Sequence, residues 1–171
     1  MSNQIENVLR TSSLERKIYC RYEKPIGEAS RRSGISRELL TAVISRESGG
    51  RNVRGDGGHG RGLMQIDDRY PPHARWLKAN RDGLDPHTNI GYGAALLAEN
   101  LASFDGIEHA ALAAYNAGPA AVRRALARGA DPDSVTTGRD YSADVLRRAR
   151  SFAEQLLNGT AVCLANARRA Q

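Results

Sequence analysis

The sequence predicts a mainly α domain carrying one glycine-rich lobe of loops or a short β-hairpin. Three observations predict it. Apolar residues recur at spacings of three and four along most of the chain. Caps, prolines and glycines punctuate the ends of those runs. Between Gly49 and Gly62 the periodicity lapses and half the residues are glycine, which excludes a packed helix there. At 171 residues the chain suits one domain, 1–171, with its core over about 15–157. That length buries a core without metals or disulfides to staple it.

Taken in order, a first amphipathic stretch covers roughly Ile5 to Glu15. A second covers about Glu15 to Ser33, with Ile18, Tyr22, Ile26 and Ala29 on one face, and Gly34 ends it. Ser36 reads as an N-cap. The helix after it sets Leu39, Leu40, Val43, Ile44 and Glu47 on one broad face, and Gly49-Gly50 stops it. A glutamate that continues an apolar stripe points inward. Leu63-Met64-Gln65-Ile66 is a short apolar run followed by Asp67-Asp68, and Pro71-Pro72 forces a break before a short helix with Trp76 and Leu77. Asp85-Pro86 is an N-cap followed by proline at the first helical position, opening a helix through Ile90, Ala94, Leu97 and Leu101 to Asp105-Gly106. Another helix spans Ala110 to Tyr115 and halts at Gly118. Pro119 starts the next, which ends near Gly129. The last begins near Asp140, carries Val145, Phe152 and Leu156, and closes at Asn158-Gly159; the tail from Thr160 to Gln171 reads as partly disordered.

Composition narrows the function classes. Net charge is +6, spread along the chain, so it serves either solubility or attraction to a polyanion such as the bacterial wall. Aromatic residues make up 5% and no DNA-binding motif occurs, which argues against a nucleic-acid partner. No run approaches the ~20 apolar residues of a membrane span. The opening Met1-Ser2-Asn3-Gln4 is polar, so the chain reads as made without a secretory signal or as a mature form with a new Met1. Cys20 and Cys163 match no zinc spacing. They read as two free, partly buried thiols, a disulfide tying the chain ends being the alternative. His59, His73, His87 and His109 are scattered without an HExxH pairing, so no metal and no cofactor is expected.

Glu47, Asp56 and Asp67 are the candidate acids for carrying chemistry. Glu47 sits at a helix C-terminus on its apolar side, where burial and the helix dipole both disfavour the carboxylate and raise its pKa. Asp56 and Asp67 lie on the flexible segment that can fold back over that helix end. One protonated and one ionised carboxyl is what glycosidic hydrolysis requires. The plainer alternatives are a Glu47 pair with Arg46 or Arg51, and aspartates that form turns or bind calcium.

Order and spacing add a family. Ile44-Ser45-Arg46-Glu47-Ser48, then Gly55-Asp56-Gly57-Gly58-His59-Gly60-Arg61-Gly62-Leu63-Met64-Gln65-Ile66-Asp67, then Ala114-Tyr115-Asn116-Ala117-Gly118, then Asp140-Tyr141 with Ala143-Asp144-Val145, together resemble goose-type lysozymes. These are related to the lytic transglycosylases, and the similarity runs from about Glu15 to Leu157. The resemblance implies a lysozyme-like fold with the glycine-rich lobe beside the active-site cleft. It implies Glu47 as general acid, Asp56 and Asp67 as holders and activators of the attacking water, and Tyr115, Asn116 and Tyr141 near the scissile bond. Gln65 is expected to line the cleft and His59 to face the saccharide. The implied function is an inverting muramidase acting as a monomer on peptidoglycan glycan strands of the bacterial wall, with no cofactor. A lytic transglycosylase, which generally lacks the two aspartates, and a silent glycan-binding module are the alternatives. Paired N-terminal cysteines of the animal members are missing here, which favours a bacterial or bacteriophage version.

Overall fold

The computed structural model describes residues 13–157 and Cys163. The stretch from Ile5, the stop at Asn158-Gly159 and most of the tail lie outside the described residues. Helix α1 spans Leu14–Arg21, capped by the Ser13 side chain, and α2 spans Glu23–Ser33. The sequence predicted one helix here. The break at Tyr22 has its cause in Pro25, whose ring would clash with the Arg21 carbonyl in a continuous helix. As the third residue of α2, Pro25 lacks only an N–H that would have no intrahelical partner anyway. The Tyr22 hydroxyl then donates to the Gly50 carbonyl at 3.2 Å, fixing the corner.

Helix α3, Arg37–Ser48, runs through the middle of the molecule. Ser36 accepts the Leu39 N–H at 3.1 Å, and Gly49 ends the helix in the left-handed conformation at φ 61°. Leu40, Val43 and Ile44 are fully buried, each contributing roughly 1.5–3 kcal/mol. Around α3 pack α1, α2 and α8 (Tyr141–Leu157). Helices α5 (Pro86–Ser103) and α6 (Glu108–Ala117) complete the main core, with α7 (Pro119–Ala127) against α6 over a smaller cluster of Phe104, Ala110, Ala113, Ala114 and Val122. Asp85 caps α5, and Asp133, buried in the turn Pro132–Val135, accepts the Ser142 and Ala143 N–H groups at 2.9 and 3.0 Å to cap α8.

The glycine-rich lobe is a three-stranded antiparallel sheet: β1 Arg54–Gly55, β2 Gly60–Arg61 and β3 Ile66–Asp67. Gly55 pairs with Gly60, and Gly60 with Asp67. The Gln65 amide lies across both positions; a Cβ would come within 2.2 Å of its oxygen at Gly55 and 2.3 Å at Gly60, so a larger residue at either would push the Gln65 side chain aside. Leu63, Met64 and Ile66 plunge from the lobe into the core. Helix α4, Pro71–Ala79, follows.

Fully buried Asn89 of α5 locks the lobe in place. It accepts the Met64 N–H at 2.8 Å and donates to the Arg61 and Gly83 carbonyls at 3.0 and 2.9 Å. Asn89→Ala leaves three buried backbone groups unpaired and is expected to cost about 3 kcal/mol or more. Denaturant melts check this; a loss under about 0.5 kcal/mol would show that water replaces the amide.

The expectation of free thiols is corrected by the structure: Cys20 and Cys163 form a disulfide, Cα–Cα 5.3 Å, across 143 residues of sequence. The sequence placed both cysteines near the chain ends but not that α1 and the end of α8 lie together against α3. Closing a loop this long contributes up to about 5 kcal/mol in the chain-entropy description. Among the described residues no helix is long and apolar enough to cross a membrane.

Candidate active site

Glu47 is the last residue but one of α3, half-buried at the mouth of the helix end. Tyr141 opens α8 and donates its hydroxyl to the Glu47 carboxylate. Burial pushes the Glu47 carboxyl up to about 7, only partly opposed by the Tyr141 hydrogen bond and the Arg46 charge. The alternative of a structural ion pair fails on geometry. Arg46 turns to Asp140 at 2.8 Å and Asp144 at 3.1 Å, and Arg51 donates to the Ser48 carbonyl. Glu47 is left with the Tyr141 hydroxyl on its carboxyl, which is raised to about 7.

Asp56 and Asp67 are brought together across the sheet, and Arg69 joins them. Its backbone N–H donates to Asp67 Oδ1 at 2.8 Å, its Nε reaches both oxygens at 2.9 and 3.0 Å, and one Nη spans Asp67 Oδ2 at 2.6 Å and Asp56 Oδ2. The Arg69 hydrogen bonds hold the Asp67 carboxyl below the usual carboxylate range, burial opposing only in part. The Glu47 and Asp67 carboxyls are thus shifted in opposite directions, one raised and the other lowered.

Tyr115 donates its hydroxyl to the Met64 carbonyl at 2.9 Å, stitching α6 to the lobe, and burial first and the Glu47 carboxylate second push its hydroxyl well above the ordinary tyrosine value, so it stays a neutral donor. Asn116 accepts the Thr137 N–H at 2.9 Å, steadying the turn that leads into α8. Gln65, at φ 46°, spends its amide on the Gly62 and Val53 carbonyls at 2.7 and 3.2 Å and thereby shapes the hairpin. His59 pairs with Asp68 at 2.7 Å, not with Asp67. Among the described residues, His109, Asp131 and Asp133 form a group of metal-ligand spacing. Its atoms are already committed: Asp133 to the cap of α8, and His109 to Ser142 at 2.7 Å and Asp131 at 3.1 Å.

Arg69 is the residue that sequence reasoning missed. Its signal was present: on an extended chain, residues two apart share a face, so Arg69 falls beside Asp67.

The family model described as the transglycosylase SLT domain matches residues 24–135, which include Glu47, Asp56, Asp67, Tyr115 and Asn116. Lysozyme g of Takifugu rubripes is 35% identical over an alignment of 153 residues, covering 77% of this chain and 73% of that protein. The chain belongs to the lysozyme-like SLT family. This is a family of peptidoglycan-cleaving enzymes. The SLT chain also shares its fold with the lytic transglycosylase Slt of Pseudomonas aeruginosa, solved as an inactive glutamate-to-glutamine mutant: TM-score 0.64, 24% identity, over 84% of this chain but only 26% of that one. The SLT match ends before Tyr141, so the hydroxyl that meets Glu47 is supplied from outside the matched segment.

Proposed function

We propose that this SLT-family chain is an inverting muramidase, hydrolysing the β-1,4 bond from N-acetylmuramic acid to N-acetylglucosamine in peptidoglycan. The observation that carries the reading is the contrast between Glu47, raised to about 7, and the Asp56–Asp67 pair gripped by Arg69. Glu47 gives its proton to the glycosidic oxygen as the bond breaks. Water attacks the anomeric carbon from the opposite face, and Asp67, aligned with Asp56, takes the proton that the water releases. An inverting arrangement needs its two carboxyls roughly 6.5–9.5 Å apart to admit that water. Tyr115, Asn116 and Tyr141 border the scissile bond, with Gln65 and His59 on the lobe side. The scheme requires no cofactor, and the place of action is the bacterial wall.

A second reading is favoured by one specific observation. Asp67 tied into Arg69 is a weak base, and the matched family is described by transglycosylation. In that reaction the muramic acid's own 6-hydroxyl replaces water and an anhydro sugar results. Digesting purified peptidoglycan in water enriched in heavy oxygen separates the two. Muramic acid reducing ends carrying the label are expected. Unlabelled anhydro ends would sink the hydrolase reading, and no products at all would leave a silent glycan-binding module.

A further inference from the structure

A second concave surface lies at the far end of α3 from Glu47. Arg37 opens that helix ten residues before Glu47, about 15 Å along its axis. Between the end of α1, the first turns of α2 and Arg37, with His87 of α5 at the edge, is a cavity of about 520 Å³. Small-ligand sites span roughly 300–1,000 Å³. The lining is cationic: Arg21, Lys24, Arg31 and Arg37 border it, against one carboxylate, Glu23. Among the described residues none of these four cations has a carboxylate within ion-pair distance, whereas Arg46, Arg61 and Arg69 each hold one. His87 pairs with Glu28 at 3.1 Å. A cleft lined by one sign of charge concentrates ions of the other.

Gly27 points to the same cavity. It sits in the interior of α2, where glycine is less stable than alanine. Neither backbone nor packing demands it. Its φ is not positive, and a Cβ would meet Arg31 Nη1 at 3.5 Å and Arg37 Nη2 at 3.8 Å, which are ordinary contact distances. Both guanidinium groups thus reach over the bare floor that Gly27 leaves, one from the next turn of α2 and the other from α3. Two forks converging from different helices match the oxygens of an oxyanion. The Arg37 side chain is held by its hydrogen bond to the Tyr19 hydroxyl at 3.1 Å, and Cys20 in the wall is tied to Cys163. A site fixed before its ligand arrives has less ordering to bear on binding.

The lining also selects among anions. No Phe, Tyr or Trp borders the cavity, which removes the stacking face that a nucleobase uses. None of the exposed large apolar side chains of the described residues borders it either, so nothing there enters the acyl boundary of a bilayer. Four cations against one carboxylate suit a phosphate monoester, which carries close to two negative charges at neutral pH, better than a single carboxylate. Glu23 supplies an acceptor for hydroxyl groups on the body of the ligand.

We propose that this cavity binds a phosphate monoester of a small polyol, with the phosphate on Arg31 and Arg37 above Gly27 and the hydroxyls toward Glu23. The site is separate from Glu47 and does not depend on the reaction proposed there.

Calorimetric titration of the full chain with glycerol 1-phosphate tests it, at fixed ionic strength and with glycerol as the uncharged control. Saturable binding is expected with the ester and none with glycerol. Arg31→Gln and Arg37→Gln are each expected to raise the half-saturating concentration about tenfold, the loss of a charge-assisted contact, while Arg124→Gln on α7 keeps it within about twofold. Gly27→Ala is expected to weaken binding while melting about 2–4 °C higher, since the added Cβ occupies the floor and favours the helix. No saturable heat with the ester, or an equal loss in Arg124→Gln, would overturn the site, the latter by reducing the effect to net charge. Inorganic phosphate bound as tightly as the ester would overturn the polyol. Tighter binding of poly(glycerol phosphate), or capture by phosphatidylglycerol vesicles without binding of the soluble ester, would overturn the monoester in favour of an anionic polymer or a membrane surface.

Discussion

Glu47→Gln is expected to lower turnover of peptidoglycan by about 10²–10⁴-fold while glycan binding survives, because the amide keeps the shape of the side chain and loses its proton. The Tyr141 hydroxyl still finds an oxygen acceptor in the amide, so the α3–α8 junction persists. Activity at near the wild-type rate in this variant would remove Glu47 from the mechanism. The same carboxyl sets a pH dependence. With its folded value at about 7, against 4.5 for an ordinary glutamate, the acid form is lost as pH rises through 7, and kcat falls on that alkaline limb. Stability follows the same sign. The folded chain binds the proton more tightly than the unfolded one, so the contribution is complete below about 4.5 and disappears as pH rises through about 7. The shift corresponds to at most about 3 kcal/mol. Glu47→Gln has no proton to lose, so it is expected to melt above the wild type near pH 8, with the gap closing near pH 4. Calorimetry at the two pH values measures this. Equal melting temperatures at both would mean that the Glu47 pocket is wetter than its burial implies.

Much of this site was legible because it is built from local signals. Ser36, Gly49 and the apolar stripe through Ile44 determine where α3 starts and stops and which way Glu47 faces, and each acts within a few residues. Asp85-Pro86 marks the start of α5 in the same way. What escaped was either local but outweighed, or not local at all. The periodicity from Ile18 to Ala29 is helical throughout, yet Pro25 breaks it, since one steric clash outweighs several well-spaced apolar residues. The Cys20–Cys163 bond depends on α1 meeting the end of α8, a contact made through the packing on α3 and invisible to any window of sequence. Gln65 carries a role the sequence did not signal: the two glycines under it and the two carbonyls it binds make it a brace of the hairpin that carries Asp56 and Asp67.

Asp67→Asn is expected to slow hydrolysis on the order of 10²-fold or more, the usual worth of a positioned base. Asp67 and Asp56 are not equivalent in the fold. Asp67 receives the Arg69 backbone N–H and both sides of its guanidinium, whereas Asp56 is held through one Nη and is the more exposed, 63% against 40%. An asparagine at 67 keeps one acceptor oxygen for the Arg69 backbone but cannot accept a proton from water. It also frees Arg69 to lean on Asp56, which misplaces the second carboxylate. Asp56→Asn leaves the Asp67 fork intact and should cost less. Steady-state rates on sacculi, with the heavy-oxygen label as readout, rank the two. A larger loss in Asp56→Asn would move the base to Asp56 and make Asp67 the residue that anchors Arg69. If neither substitution changes the rate and the ends stay unlabelled, water is not the nucleophile. Arg69 would then serve to neutralise the two aspartates, leaving the proton on Glu47 as the group that drives the cleavage.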